Sequence, residues 1–440
     1  MHDLSTTLAA VATAPGRGGI GCVRLSGPDA TRIAARLCRP RKGGPAPRFV
    51  TFLDAAGVEI DHGYLVEFPS GTSYTGEPTA ELWAHGSPPV LEALVSAAQA
   101  AGAVLAGPGE FTYRALRNGR IDLARAEAIR DLVAARTIYQ ARVAFSQLRG
   151  AAARKLAPLT GRLVDLIARG EAAIEFADEA ETHLAPGGLA AGVVDALSEA
   201  RVLADEARRG RVVREGARIA IVGATSVGKS SLFNRLVGAE RAIVSPIPGT
   251  TRDTIEGVTT FEGIPATLVD TAGLRAPRSA IEAEGVRRAR AAADEASLTL
   301  FVLDASRTIS DEERSILEDP PPIVVANKWD IAASGDGPVA GAIPVSAATG
   351  EGLPRLRAAI HGALIGPVAM EDPVITDLRQ IRALEETVAA LERAAGAAAL
   401  GDEIVVEDLR EALRALGSVT GEVGNEDLYD RIFSTFCIGK

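Results

Sequence analysis

Between Leu8 and about Asn118 the apolar residues fall in short runs or alternate with polar ones, as in TLAAVA, GCVRLS, GYLVEF and TAELWAHG, with Gly and Pro clusters between them. A period of two broken by turn residues is the mark of strands, so this stretch reads as a β-rich domain carrying a helix or two. VLEALVSAAQAAGAVLA, Val90 to Ala106, is read as one such helix, closed by GPG. From Ile121 to about Arg209 the period becomes helical. Leu159, Leu163, Leu166, Ile167 and Ile174 recur at three- and four-residue steps, and AEAIRDLVAAR behaves likewise. A third texture begins at Ala217: the apolar runs RIAIVG, ATLVDT, LTLFVLDA and PIVVANK alternate with helical stretches, as a mostly parallel α/β sheet requires. After Pro373 the helical period returns. The simplest arrangement inserts the α/β domain, 213–370, into one helical domain made of 119–212 and 371–440, with 1–118 standing before both.

The composition narrows the classes. At 440 residues and 47% hydrophobic the chain has apolar surface for two to four cores. Its formal charge of −10 argues against a chain-wide grip on nucleic acid, so any RNA contact is local or shared with a partner. Two basic clusters, Arg39 to Arg48 and Arg208 to Arg218, read either as solvated loops or as such local contacts. Cys22, Cys38 and Cys437 lie far apart, and the five histidines show no metal-ligand spacing. A reducing cytoplasm fits that usage. The opening residues lack a positive leader segment, and no run of about 18 apolar residues follows, so neither a signal peptide nor a membrane span is expected.

The chemistry concentrates in the α/β segment. GATSVGKS, Gly223 to Ser230, matches GxxxxGK[ST] between an apolar strand and the helical SSLFNRLVG that begins at Ser230 and Ser231. Backbone amides from Gly223 through Val227 and Gly228 cradle phosphates in such a loop. Lys229 meets the β- and γ-phosphates, and the Ser230 hydroxyl binds Mg²⁺. DTAG follows the strand ATLV and brings Asp270, Thr271, Ala272 and the Gly273 amide toward the metal and γ-phosphate. NKWD follows IVVA: with Asn327 and Lys328 beside it, Asp330 accepts two hydrogens from the guanine edge, a pattern adenine does not offer. SAATG supplies Ser346 and the Ala347 amide to the guanine carbonyl. The set predicts GTP rather than ATP. SPIPGTTRD, Ser245 to Asp253, stands where a first switch belongs and offers Thr250 or Thr251 as a second Mg²⁺ ligand. Leu274 follows DTAG where Ras-like proteins carry the glutamine that orients the attacking water, so something else must take that part.

With these motifs in place, the chain resembles the MnmE (TrmE) family of tRNA uridine-modification GTPases. The likeness runs through APGRGGIGCVRLSG, SYTGEPTAELWAHG, GEFTYRALRNGRIDLARAEAIRDL, the phosphate loop, PGTTRD, DTAGLR and the final FCIGK. It implies a multidomain α+β and α/β protein: a β-rich N-terminal domain that binds folate and builds a homodimer, a helical domain, and an inserted Ras-like P-loop GTPase domain. Carried over by residue, it implies Mg²⁺ on Ser230 and Thr251 and a water-orienting Glu282, which read alone is only a helical surface carboxylate. It also implies a catalytic K⁺ in place of an arginine finger, near Ser226, Ser245, Ile247 and Thr250, with Gly249 of the same loop among the nucleotide-binding residues. Family members carry Asn at the position of Ser226, whose shorter stem changes that site. The one-carbon donor implied is 5-formyl-tetrahydrofolate or a related folate, held by Arg24, Glu81, Arg120 and Lys440. Some relatives have Lys where Arg120 stands. GRGGIG, Gly16 to Gly21, matches a dinucleotide fingerprint, yet a strand follows it where a Rossmann unit needs a helix.

The implied partners are tRNA and an MnmG-type FAD-dependent protein in a heterotetramer, in the cytoplasm and away from membrane. The last residues, FSTFCIGK, are then expected to dock against the N-terminal domain, with Gly439 allowing close approach, Lys440 at the folate and Cys437 facing the same chemistry. A ribosome-assembly or signalling switch, and a folate enzyme unconnected to RNA, stay open as other readings.

Overall fold

The computed structural model describes residues 3–40, 47–175, 189–239, 255–270, 296–318, 323–332, 339–366, 374–397, 401–421, 429 and 432–439. By its contacts the chain falls into two units, 1–130 with 420–440, and 131–419.

The first unit is built on a seven-stranded sheet. Its strands are β1 (Leu8–Val11), β2 (Gly18–Ser26), β3 (Cys38–Pro40), β4 (Arg48–Leu53), β5 (Glu59–Phe68), β6 (Thr79–Gly86) and β7 (Val104–Leu105), in the order β3-β4-β5-β6-β2-β1-β7. All neighbours are antiparallel except β1 and β7. Helices α1 (Ala30–Leu37) and α2 (Pro88–Ala100) cover one face, where Val23, Leu25, Ile33, Phe52, Leu82 and Leu94 form the core. The helix expected to reach Ala106 stops at Ala100, and Val104–Leu105 pairs with β1 instead. Gly102, at φ 109°, turns the chain out of the helix and sets the two apolar residues against a strand edge. Gly18, Gly19 and Gly21 of GRGGIG lie in β2 itself, Gly18 pairing with Gly86 of β6, which removes the dinucleotide turn. Helix α3 (Glu110–Arg117) and the start of α4 (Leu123–Ala134) complete this unit with residues 432–439: Tyr113, Leu123, Ala126, Ile432, Phe433 and Phe436 share one apolar cluster.

In the second unit α5 (Ile138–Leu148), α6 (Ala151–Glu175) and α7 (Ala190–Glu215) precede a six-stranded sheet. The sheet holds β8 (Ala217–Val222), β9 (Ile255–Phe261), β10 (Ile264–Asp270), β11 (Leu298–Asp304), β12 (Ile323–Asn327) and β13 (Ile343–Pro344), ordered β13-β12-β11-β8-β10-β9. Only β9 runs antiparallel. Helices α8 (Lys229–Ala239), α9 (Asp311–Ile316) and α10 (Leu353–Ile365) belong to this half, and α11 (Leu378–Gly396) and α12 (Asp402–Thr420) return to the helical half. There the predicted Leu159, Leu163, Leu166 and Ile167 are buried, and they share a core with Leu203, Leu384, Leu391, Leu409 and Leu416. One core thus draws on chain from both sides of the sheet domain, and a buried Leu such as Leu163 adds about 2 kcal/mol to it. No described helix is long and apolar enough to cross a membrane.

Candidate functional site

The phosphate loop leaves β8 and enters α8 with Lys229 as the first helical residue. A parallel strand delivers the chain to its carboxyl end, and the helix that follows presents its amide-rich N-terminus there. Lys229 is 8% exposed, and its Nζ donates to the carbonyls of Gly223 at 2.8 Å and Ala224 at 2.7 Å. The ammonium is therefore folded across its own loop. Burial pushes its pKa down, while the Asp270 carboxylate at the end of β10 works against that shift. Gly228 stands at φ 95°, and a Cβ there would come within 2.3 Å of Asn327 Nδ2, so this position needs glycine on both counts. Ser226 also adopts a left-handed conformation, φ 63°, and is exposed. Ser230 and Ser231 are exposed at the start of α8.

Asn327 ends β12, 2% exposed. Its Nδ2 donates to the Val227 carbonyl at 2.8 Å, and its Oδ1 accepts from the Ala347 amide at 3.0 Å. One side chain thereby ties three of the sequence motifs together. Lys328 leaves the strand at φ 62° and donates to Asp304 Oδ2 at 2.6 Å. Burial works to raise the Asp304 carboxyl, but the bonds from Lys328 and Ser306 outweigh it and hold the group below the usual range. Asp330 sits in the one-turn 3₁₀ helix Trp329–Ile331 with its carboxylate exposed. Ser346 is fully buried and its Oγ accepts from the Thr349 amide at 3.1 Å, which shapes the loop that carries Ala347. Two supports gave no signal in the motif reading. Asp304 anchors Lys328, and Arg235 of α8 donates to the carbonyls of Ala347 at 3.0 Å and Ala348 at 2.5 Å. Their partners are backbone groups or distant residues, which no local pattern reveals.

The donor set suits a nucleotide with Mg²⁺: a helix-start hydroxyl, a buried carboxylate and a glycine cradle lie at the carboxyl ends of the neighbouring strands β8 and β10. Ser245, Ile247, Gly249, Thr250, Thr251, Thr271, Ala272, Gly273 and Glu282 lie outside the described residues.

In the first unit Arg24 on β2 and Glu81 on β6 are register partners on the sheet face away from α1 and α2. Arg24 Nε and Nη2 both meet Glu81 Oε1 at 2.9 Å, and Trp83 Nε1 donates to Oε2 at 3.0 Å. Arg24 fills both acceptor positions of Oε1, and Oε2 keeps one further lone pair for a ligand. The Arg24 guanidinium lies 5.7 Å from the centre of the Phe111 ring, and Tyr74 donates to Thr112 at 2.9 Å nearby. Arg120 is exposed, its stem against Gly76. The closing residues dock on this unit: Ile438 bridges to Pro108, the Gly109 amide donates to the Cys437 carbonyl at 3.3 Å, and Gly439 lies at φ 90° where a Cβ would sit 2.2 Å from the Val11 carbonyl. Cys437 is exposed, and Lys440 lies outside the described residues. Farther along the same sheet face a shallow groove of about 460 Å³ is lined by Ile20, Phe49, His62, Tyr64, Trp83 and His85.

Comparison with known proteins agrees with this architecture. Residues 7–120 match the model of the GTP-binding protein TrmE N-terminus, and residues 123–437 match the MnmE helical domain. The tRNA modification GTPase MnmE of Koribacter versatilis is 40% identical over 453 aligned positions, covering 100% of both chains. That of Thermus thermophilus is 40% identical over 447, again covering 100% of both, and that of Halorhodospira halophila is 42% identical over 458, covering 100% of this chain and 96% of its own. With its sheet order, its nucleotide loops and full-length relatives in agreement, the chain belongs to the MnmE family of tRNA modification GTPases.

Proposed function

We propose that this GTPase drives the modification of the wobble uridine, U34, of certain tRNAs at C5, adding an aminomethyl or carboxymethylaminomethyl group with a folate as one-carbon donor. Three domains divide the work, with 1–118 for folate and dimer formation, 119–212 and 371–440 as the helical domain, and 213–370 for GTP. The observation that carries the reading is the docked tail. Cys437, Ile438 and Gly439 lie against Gly109, Pro108 and Val11, and Gly109 immediately precedes α3, whose Phe111 faces Arg24. A GTPase that served only as a switch has no need to dock residues 437–439 on the turn that leads into α3, whose Phe111 lies against Arg24.

Within the pocket Glu81 would accept from the amide and amine edge of a pterin, and Arg24, Arg120 and Lys440 would meet its carbonyl or glutamate tail. In the nucleotide domain Asp330 reads guanine, Lys229 meets the phosphates, and Ser230 and Thr251 would hold Mg²⁺, which neutralises phosphate charge. Glu282 would orient the attacking water. Ser226, Ser245, Ile247 and Thr250 would surround K⁺, which supplies the charge of an arginine finger. The exposed Ile20, Phe49, Tyr64 and Trp83 offer an apolar face for a second copy of the chain. A flavin-dependent protein completes the system in the cytoplasm.

Nucleoside analysis of tRNA from a strain lacking this chain tests the reading. Loss of the C5 modification at the wobble position, restored by the wild-type chain, is expected. Normal wobble uridines would leave only a ribosome-assembly or signalling switch.

A further inference from the structure

From Leu132 to Val164 the chain carries Arg136, Arg142, Arg149, Arg154, Lys155 and Arg162 and not one carboxylate, within a protein of net charge −10. The fold cancels two of these cations. Lys155 pairs with Glu206 at 3.1 Å and Arg162 with Glu199 at 3.2 Å, both across to α7. No carboxylate among the described residues pairs with the other four. Arg136, Arg142, Arg149 and Arg154 are all exposed, and Arg154 Nη1 donates to the Arg149 carbonyl, at 2.7 Å.

Their placement is ordered. On α5 and its C-terminal cap, Ile138, Arg142, Phe145 and Arg149 recur at steps of four, three and four, which sets them in one stripe. Val143, Ala144 and Gln147 face the opposite way and are buried. The stripe leaves Ile138 70% and Phe145 52% exposed, so an aromatic ring stands between two arginines about 10 Å apart along the axis.

The inner face of α5 is fully committed. Thr137 caps the helix and donates to the Gly263 carbonyl at 2.7 Å, in the turn between β9 and β10. Gln140 Nε2 donates to the carbonyls of Val213 at 2.9 Å and Arg214 at 3.0 Å, where the chain enters the nucleotide domain. Gln147 Nε2 donates to the Val374 carbonyl at 3.2 Å and to Thr376 Oγ1 at 2.9 Å, where the helical half resumes. The helix holds three places around the joins between its own half and the sheet domain, and among the described residues its other side is exposed.

We infer that the outer face of α5, with Arg142, Phe145 and Arg149, flanked by Arg136 ahead of the helix and by Arg154 of α6, is the surface on which this protein receives its RNA. The inference rests on the tRNA reading above and says where that substrate is met. Charge complementarity selects the occupant: uncancelled arginines suit phosphates, and an exposed ring among them suits an unstacked base of a single-stranded loop. An acidic protein would satisfy the arginines but would leave the ring without a stacking partner.

The test is a titration of the full-length chain, alone and with its flavoprotein partner, with a labelled tRNA transcript carrying uridine at the wobble position, over a range of salt. Arg142→Glu with Arg149→Glu is expected to weaken binding about tenfold or more. Arg142→Ala with Arg149→Ala is expected to flatten the salt slope by about 1.4, at about 0.7 per lost phosphate contact. Phe145→Ala is expected to weaken binding with the slope unchanged. The already paired Lys155→Ala with Arg162→Ala, and the GTPase rate of every variant, should stay at wild-type values. Wild-type binding by the α5 variants overturns the surface and leaves the modification reading standing. Loss of the flavoprotein with tRNA retained overturns it in favour of a protein dock. A wild-type chain that binds no tRNA under either condition overturns both.

Discussion

Asn327 and Val227 are 100 residues apart and meet at 2.8 Å, amide nitrogen to carbonyl oxygen, while the same side chain accepts the Ala347 amide at 3.0 Å. The base-reading loops and the phosphate loop are thus one hydrogen-bonded body.

Asn327→Ala leaves a buried carbonyl and a buried amide without that partner, at about 1–3 kcal/mol each. GTP affinity is expected to fall between about tenfold and a hundredfold. Titration with a fluorescent GTP analogue measures it, and an unchanged dissociation constant would show that the loops are held by other means.

Ser226 holds φ 63°, a conformation Asn adopts more readily than most residues. GTP turnover is expected to be higher in K⁺ than in Na⁺ or choline, and Ser226→Asn, with its longer reach, is expected to widen that difference about tenfold, or about 1.4 kcal/mol of barrier. Equal rates in the three salts for both proteins would remove the cation from the mechanism.

Arg214 at the end of α7 lies 2.9 Å from both Asp131 and Asp377, and Asp377 caps α11. Arg214→Ala leaves two largely buried carboxylates without their shared cation. A loss of about 2 kcal/mol is expected, below the figure for a fully buried pair because the guanidinium is 22% exposed. Denaturant unfolding reads it, and an unshifted midpoint speaks against the hub.

Gly439→Ala places a methyl against the Val11 carbonyl at a φ that alanine disfavours. The tail is expected to lift, with faster hydrogen exchange over residues 432–439 and a loss of more than about 1 kcal/mol. If folate binding survives a lifted tail, the closing residues have no part in that pocket.

Cys22 and Cys38 are buried, which pushes each thiol up to about 12. Below about pH 9 both folded and unfolded chains keep these protons and stability does not depend on them. From pH 9 toward 12 the unfolded chain releases protons that the folded one retains, so stability falls by up to about 1.4 kcal/mol per pH unit for each thiol. At pH 8 a thiol reagent is expected to label Cys437 quickly in the native protein, and the other two only after denaturation. Three fast equivalents would contradict the burial.

The α/β half was legible because its chemistry is local: the strand, the glycine turn and the helix start lie within about a dozen residues, and parallel strands buried on both faces read as apolar runs. α1, α3, β3, β4 and β7 were harder to read. β7 is two exposed residues, Val104 and Leu105, that become a strand only because β1 offers an open edge, and α3 buries Arg114 completely, against any expectation from pattern, because Glu77 and the Asp3 and Thr6 carbonyls take its guanidinium.

Residue order alone determined the nucleotide chemistry, the three textures of the chain and the residues that mark its family, since each depends on spacing within a short stretch. Tertiary structure decided which charges are spent and which remain. Lys155 and Arg162 are cancelled by carboxylates 51 and 37 residues away, and among the described residues no carboxylate pairs with Arg142 or Arg149. It also decided that Asn327 would lock two loops and that Gly439 would press on Val11. Such pairings depend on distances through space, and a linear pattern does not contain them.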